Sequence, residues 1–135
     1  MKVQVYGGYL FPSDKLVAWK NEQLQPKQRF PPDDSGCTIL IGALYRKFGP
    51  DKNGDPKYRV MVLLLGPEDE ETMYLWVSTV CGDFQDVPPE HVKNCRMPED
   101  LTFERTKQLR QFVEEEMGYN FVEHGVRWHN RRYIS

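Results

Sequence analysis

The sequence predicts a single α+β domain over residues 1–135, in which one long helix packs on an antiparallel β meander. Three observations favour this fold class. Apolar segments alternate with short polar turns in the middle of the chain, which is typical of consecutive antiparallel strands. A later segment repeats its apolar residues at helical spacing. The chain has 135 residues, of which 39% are hydrophobic, enough for one core but too few residues for two typical domains.

The N-terminal part predicts a strand followed by a short helix. Residues 3–11 alternate apolar positions around Gly7 and Gly8, which indicate a bulge or a tight bend;. In residues 13–24, Ser13 can cap a helix that Pro26 closes. A strand over the same residues is the alternative to this possible N-terminal helix. Residues 25–36 are rich in proline and polar residues, and we expect an exposed connection there.

The central segment predicts three consecutive strands at 37–48, 57–65 and 72–80. The first two flank the loop GPDKNGDP, in which Asn53-Gly54 favours the positive φ angles of a hairpin turn. GPEDEE supplies the second polar turn. The first two segments are almost continuously apolar instead of alternating, which is typical of strands covered on both faces. A meander of this kind needs a second covering layer besides the long helix.

The long helix is predicted at 100–118, where Asp100 or Thr102 can cap the start and Gly118 can end the helix in a left-handed conformation;. One apolar stripe should cover one face of the meander; it consists of Leu109, Phe112, Val113 and Met117. After the helix, residues 119–123 and 126–134 can pair as a C-terminal hairpin around His124-Gly125, with a turn at His129-Asn130 as the less favoured alternative.

The last predicted strand has two chemically different faces. Alternation places Arg127, His129, Arg131 and Tyr133 on one face, while Val126, Trp128 and Ile134 lie on the other;. We therefore expect a packed edge strand with a basic and aromatic outer face. Such a face suits phosphate contact with base stacking, but edge charges also prevent unwanted sheet pairing. A second basic cluster lies near the Asn53-Gly54 turn and consists of Arg46, Lys47, Lys57 and Arg59.

Signs of metal or thiol chemistry are weak in this sequence. Cys81, His91 and Cys95 are weak candidates for a metal site, because their gaps do not match the closely paired ligands of zinc sites;. Cys81 with His91 or His124 could also form a thiol–imidazole pair. The nucleotide-binding and common hydrolase motifs are absent;. We expect no cofactor and no metal, and an enzyme is the less favoured class.

The segment EEEMGY resembles the end of the Nudix box, whose helix carboxylates bind the metal ions that hold a diphosphate. The resemblance rests on Glu115, Glu116 and Gly118. In the same register, Gln111 and Phe112 stand where the box has Arg and Glu, and the upstream Gly and Glu are missing. The alternative interpretation is an acidic, solvated helix end stopped by a glycine.

The three cysteines, Cys37, Cys81 and Cys95, are odd in number and far apart. With the terminal sequence, this pattern indicates a soluble cytoplasmic protein in a reducing compartment. The net charge is −2, so any affinity for nucleic acid requires a local basic patch. The N-terminus lacks the apolar stretch of a signal peptide, and no segment has the length of a transmembrane span. The first functional hypothesis is a non-enzymatic assembly module that forms homo-oligomers to cover the second sheet face. The alternatives are a domain that binds RNA, DNA or an acidic protein surface, and a metal- or cysteine-dependent enzyme.

Overall fold

The fold is α+β and contains a four-stranded antiparallel sheet, as a computed structural model of residues 1–31, 35–55, 57–65 and 72–135 shows. The strands are β1 (Val3–Pro12), β2 (Arg59–Leu64), β3 (Met73–Phe84) and β4 (Arg127–Ile134). Their order in the sheet is β2-β3-β1-β4, and every neighbouring pair is antiparallel. The predicted fold class is confirmed at this level.

Three α-helices join the strands in the part of the chain that the structure describes. They are α1 (Ser13–Glu22), α2 (Cys37–Phe48) and α3 (Glu104–Gln111), and α3 continues directly into a single π turn at Phe112–Glu116. Short 3₁₀ segments lie at Pro26–Gln28 and Pro89–Asn94. Residues 13–22 therefore form a helix rather than the alternative strand. The predicted Ser13 cap is wrong, because Ser13 is the first residue of the helix and Pro12 is its N-cap. No helix in the described ranges is long and apolar enough to cross a membrane.

The chain follows a split β-α-β path. Because β1 and β2 are both antiparallel to β3, they run parallel to each other with β3 between them. By the same argument β3 and β4 are parallel with β1 between them. The first crossover contains α1 and α2, and the second contains α3. This connectivity is a known supersecondary arrangement, and it brings the two ends of the chain together in β1 and β4.

All three helices cover the same face of the sheet. They bury a common core with the odd-numbered side chains of β1, such as Tyr9 and Phe11. The predicted stripe on α3 and the π turn takes part, with Leu109 and Val113 fully buried. The N-terminal helix therefore adds to the first layer and does not cover the second face. The helices contribute these side chains to the core: Leu16, Trp19, Cys37, Leu40, Leu44, Leu109, Phe112 and Val113.

The predicted irregularity at Gly7 and Gly8 is present. The pairing of β1 with β3 shifts register between these two residues, because Gly7 pairs with Val80 and Gly8 pairs with Ser78. A Cβ atom added to Gly7 would lie 2.6 Å from the indole of Trp128. The missing side chain at Gly7 is therefore what allows Trp128 to pack on β1.

The predicted central meander is wrong in its first strand, since residues 37–48 form α2. Asn53 and Gly54, with a φ of +85° at Gly54, belong to the connection from α2 to β2 and not to a hairpin turn. Leu40 and Leu44 lie one helical turn apart and are both buried, whereas Tyr45 is exposed. The continuous apolar run therefore reflects an amphipathic helix with additional surface-exposed apolar residues. The pairing of β2 with β3 is confirmed, and the predicted turn GPEDEE between them lies outside the described residues.

The prediction of one long helix is also wrong in extent. Helical structure begins at Glu104 after an uncapped Phe103 and ends at Glu116. Asp100 accepts hydrogen bonds from the backbone N–H and the hydroxyl of Thr102, so it stabilises a turn before the helix. Gly118 has the predicted left-handed φ, +76°.

The predicted C-terminal hairpin does not form. Residues 121–125 form a turn, and β4 pairs with β1 instead. Tyr119 and Phe121 are buried in the core beneath the helices. The backbone of this segment forms local hydrogen bonds, from His124 N–H to the Asn120 carbonyl and from Val126 N–H to the Phe121 carbonyl, in place of the ladder of a hairpin.

Candidate functional site

The sheet face opposite the helices carries a continuous layer of aromatic and basic side chains. We call it the open face. Side chains alternate along a strand, and the strand registers place every second residue of each strand there. The open face is formed by Gln4, Tyr6 and Leu10 of β1, Arg59, Met61 and Leu63 of β2, Tyr74, Trp76, Ser78, Cys81 and Asp83 of β3, and Arg127, His129, Arg131 and Tyr133 of β4.

One half of the open face is a cluster around Arg59. Its guanidinium carbon lies 4.6 Å from the ring centre of Tyr6 and 5.5 Å from that of Tyr133. The two tyrosine rings meet edge to face, with centres 5.6 Å apart. Because Arg59 is on β2 and Tyr133 is on β4, these three side chains span all four strands. Arg59 remains exposed, and both tyrosines are partly exposed.

A second arginine–tyrosine pair lies at the other end of the open face. The guanidinium carbon of Arg127 is 5.8 Å from the ring centre of Tyr74. Arg127 is exposed and Tyr74 is partly exposed. Arg131, partly exposed, lies between the two clusters on β4 and pairs with Tyr6 of β1. The positive charge is thus distributed along the full width of the sheet.

Trp76 forms the centre of the open face and is fully buried. Its indole N–H donates a hydrogen bond of 3.1 Å to the backbone carbonyl of His129. Because β1 lies between β3 and β4, the indole must cross β1, and Gly8 presents no side chain to obstruct it. The imidazole of His129 meets the indole edge to face, with ring centres 6.3 Å apart. The indole therefore fixes the position of β4 relative to β3.

The electrostatics of the open face are positive. Partial burial lowers the pKa of His129 below its usual range, and the charges of Arg127, Arg131 and Arg132 lower it further. His129 is therefore neutral at pH 7. Asp83, at the far end of β3, is the one carboxylate among the open-face residues identified above. Among the described residues of the open face, three arginines thus face solvent with one carboxylate, Asp83, on the same surface.

The opposite face of β4 anchors the strand to the rest of the chain. The indole N–H of Trp128 donates to the backbone carbonyl of Met97, and the Asn130 side chain accepts from the Met97 backbone N–H at 2.8 Å. Arg132 donates to the carbonyls of Cys95, at 2.6 Å, and Lys93, at 3.1 Å. These bonds hold β4 in register, so that Arg127, His129, Arg131 and Tyr133 are presented on a fixed strand.

The structure brings five of the eight predicted binding residues together: Arg59, Arg127, His129, Arg131 and Tyr133. The other three lie on the helical side. Arg46 and Lys47 are in the last turn of α2, and Lys57 lies 5.4 Å from the ring centre of Phe48. The two predicted basic clusters therefore do not share one surface, and only Arg59 of the second cluster reaches the open face.

The aromatic residues that complete the open face were not among the predicted binding residues. Tyr6, Tyr74 and Trp76 lie next along their strands to residues of the opposite sheet face, such as the buried Val5 beside Tyr6 and the buried Leu75 between Tyr74 and Trp76. Alternation within β1 and β3 was the available signal. It became informative only when the order of the strands placed these residues beside Arg59 and Arg127.

The residues considered for a metal or thiol site, Cys81, His91 and Cys95, do not lie together. Cys81 lies on the open face beside Tyr6, and together with burial it raises the pKa of that phenol. Cys95 is buried on the other side of the sheet with Val3 and Val5, and its thiol lies 3.8 Å from the backbone carbonyl of His91. Within the described ranges, no three His, Cys, Asp or Glu side chains are placed to hold a metal ion.

The other two groups considered for chemistry have structural contacts. His124 stacks on Tyr119, with ring centres 4.1 Å apart, and lies away from the open face. At the acidic helix end, Glu116 forms a 2.9 Å salt bridge with Lys47. Comparison with protein-family models, with curated proteins and with solved structures found no match to this chain.

Proposed function

We propose that the protein binds single-stranded nucleic acid on the open face. In this proposal Arg59, Arg127 and Arg131 contact phosphates, and Tyr6, Tyr74 and Tyr133 offer surfaces on which bases stack. The observation that supports it is the arginine–tyrosine layer that crosses all four strands opposite the helices.

The chemistry of single-stranded nucleic acid matches this layer. Bases of a single strand stack on aromatic rings or on guanidinium planes, and each such contact contributes about 1–3 kcal/mol. A four-stranded sheet with aromatic residues on its central strands is one known way to bind two or three bases of RNA. Here β1 and β3 are the central strands, and they carry Tyr6 and Tyr74. An overall charge of −2 does not oppose this, because the positive charge is local.

Fluorescence anisotropy of a labelled oligouridylate and the matching oligodeoxyuridylate, about ten nucleotides long, tests the proposal. If three arginines contact phosphates, the logarithm of the association constant should fall with the logarithm of salt concentration with a slope of about −2. Arg127→Gln should reduce that slope by about 0.7. Arg46→Gln removes the same charge from the helical side and should leave the slope unchanged.

A stacking control uses two tyrosines. Tyr133→Leu keeps an apolar side chain but removes the ring, and we expect affinity to fall about tenfold. Tyr45→Leu removes an exposed ring from α2 and should have no effect. Equal losses in both arginine variants would indicate unspecific charge attraction and would rule the proposal out, as would the absence of binding at low salt. A preference for one of the two oligomers identifies RNA or DNA as the ligand.

A self-associating assembly module is the second candidate, and the outer edge of β2 favours it. β2 is the outermost of the described strands on its side of the sheet, and an edge strand offers unpaired backbone groups to another chain. Val62 is 46% exposed and Leu64 is 65% exposed there. The sequence indicated self-association because the sheet was expected to be apolar on both faces. The open face carries arginines and tyrosines, so that expectation does not support a dimer.

Sedimentation velocity across the micromolar range tests the second candidate. A dimer formed through β2 should dissociate in Val62→Lys, because a charge on the edge strand disfavours strand pairing. A wild-type protein that remains monomeric at high micromolar concentration would exclude this candidate without affecting the nucleic-acid proposal.

A further inference from the structure

A groove on the helical side of the molecule lies between α1, α2 and the π turn and encloses about 610 Å³. It is on the opposite side of the sheet from the open face. Its volume is in the range of small-molecule sites. The groove is lined by Trp19, Lys20, Gln23, Phe30, Thr38, Ile39, Gly42, Ala43, Arg46, Lys47, Phe112 and Met117.

The floor of the groove is apolar and is kept open by small residues of α2. Trp19 and Phe112, each 9% exposed, form part of the wall together with Ile39. A Cβ atom added to Gly42 would approach only the end of the Arg46 guanidinium, at 3.4 Å. The space above Gly42 is therefore free for a ligand, although glycine inside a helix costs about 1 kcal/mol relative to alanine.

Among the described residues, those that are charged and line the groove are all basic. Lys47 forms a salt bridge with Glu116 and lies 5.9 Å from the ring centre of Phe112. Lys20 lies 6.0 Å from the ring centre of Trp19. Of the three cations, Lys20 and Arg46 have no carboxylate partner in the part of the chain that the structure describes. The groove thus combines an apolar floor with two cations at its wall.

We propose that this groove binds a small amphipathic carboxylate, a single carboxylate group on an aromatic or alkyl body. The apolar body lies along Trp19, Ile39 and Phe112, and the carboxylate accepts hydrogen bonds from Arg46, with Lys20 as the second cation. A guanidinium is well suited to a carboxylate because it can donate two parallel hydrogen bonds. The proposal does not depend on the function of the open face.

Calorimetric titration with decanoate, below its micelle concentration, tests this site. Decanol is the neutral control and decyltrimethylammonium the cationic control. We expect decanoate to bind at least about tenfold more tightly than either control, because only the anion pairs with Arg46. Arg46→Gln should weaken decanoate binding about tenfold and leave decanol binding unchanged.

Two variants of Gly42 separate filling of the groove from damage to the fold. Gly42→Ala adds one methyl group and should retain binding, whereas Gly42→Leu should fill the groove and weaken binding at least about tenfold. A thermal melt of each variant shows whether the fold is intact; if Gly42→Leu does not fold, Arg46→Gln decides. Equal affinity for decanoate and decanol, no heat of binding, or unchanged affinity in Arg46→Gln would overturn the proposal. None of these results bears on oligonucleotide binding.

Discussion

Gly8 lies where β1 and β3 approach too closely for any side chain, and Gly8→Ala should therefore destabilise the protein strongly. A Cβ atom on Gly8 would lie 2.1 Å from the backbone oxygen of Val77 and 2.7 Å from the Cα of Ser78. Both atoms belong to the backbone of β3, so no side-chain rotation can relieve the clash. One strand must move by about 1 Å to restore an ordinary contact, which breaks part of the pairing between the two central strands.

The cost can be worked out from that displacement. Overpacking of a tight site costs about 1–3 kcal/mol, and one or two weakened backbone hydrogen bonds add about 0.5–1.5 kcal/mol each. We expect a loss of about 2–4 kcal/mol in the free energy of unfolding, or about 10 °C in Tm for a chain of this length. Urea denaturation followed by circular dichroism measures the first quantity, and a thermal melt measures the second.

The matched control is Gly42→Ala on α2, where an added Cβ would meet only the end of the flexible Arg46 side chain, at 3.4 Å. Alanine favours the helix, so this variant should gain about 0.5–1 kcal/mol. If Gly8→Ala is as stable as the wild type, the register shift and the position of Trp76 across β1 are both wrong. A loss of stability in Gly42→Ala would contradict the open groove.

Three further predictions concern β4 and the core. Arg131→Gln should weaken oligonucleotide binding without a loss of stability. Arg132→Gln removes two hydrogen bonds to backbone carbonyls, so it should lower the free energy of unfolding by about 1–3 kcal/mol in urea denaturation without weakening oligonucleotide binding. Because His129 is harder to protonate in the folded chain, the free energy of unfolding should fall as the pH drops below about 6.5, and His129→Gln should reduce that fall. Tyr119→Phe removes a buried hydroxyl that has no hydrogen-bond partner among the described residues and should raise stability by about 1 kcal/mol.

Each of these has a result that contradicts it. If Arg131→Gln lowered stability and Arg132→Gln weakened oligonucleotide binding, the assignment of these residues to the two faces of β4 would be contradicted. An identical pH dependence in wild type and His129→Gln would show that other groups titrate in that range. Destabilisation in Tyr119→Phe would mean that the hydroxyl makes a hydrogen bond in solution.

The local pattern of β4 predicted its two faces correctly from the sequence. Arg127, His129, Arg131 and Tyr133 share one face, and Trp128 packs on the other, because strand alternation depends only on neighbouring residues;. The partner of β4 was not predictable in the same way. Pairing with β1 joins the two ends of the chain, and no local pattern encodes a contact over that separation.

The helix α2 shows why apolar runs mislead. Residues 37–48 contain Thr38, Ile39 and Ile41, which favour strands, and their length is compatible with either structure. In the helix, Cys37, Leu40 and Leu44 are buried on one stripe. The sequence alone does not reveal this stripe, because Ile41 and Tyr45 are also apolar, and only the structure shows that they are exposed. Tertiary packing overrides local propensity here.

Only part of the candidate site could therefore be predicted from the sequence. The basic residues of β4 were found from alternation, whereas the tyrosines of β1 and β3 joined them only through the order of the strands. Arg46 and Lys47 were grouped with Arg59 because they lie close in sequence. The helical conformation of α2 places them in a different layer.

Photo-crosslinking with a bromouridine oligomer, followed by mass spectrometry of the tryptic peptides, tests the binding surface most directly. The tyrosines serve as reporters on both sides of the molecule, since Tyr6, Tyr74 and Tyr133 lie on the open face and Tyr45, 61% exposed, lies on α2. We expect adducts on the three open-face tyrosines and none on Tyr45. Adducts on Tyr45 with none on the open face would contradict nucleic-acid binding by the sheet.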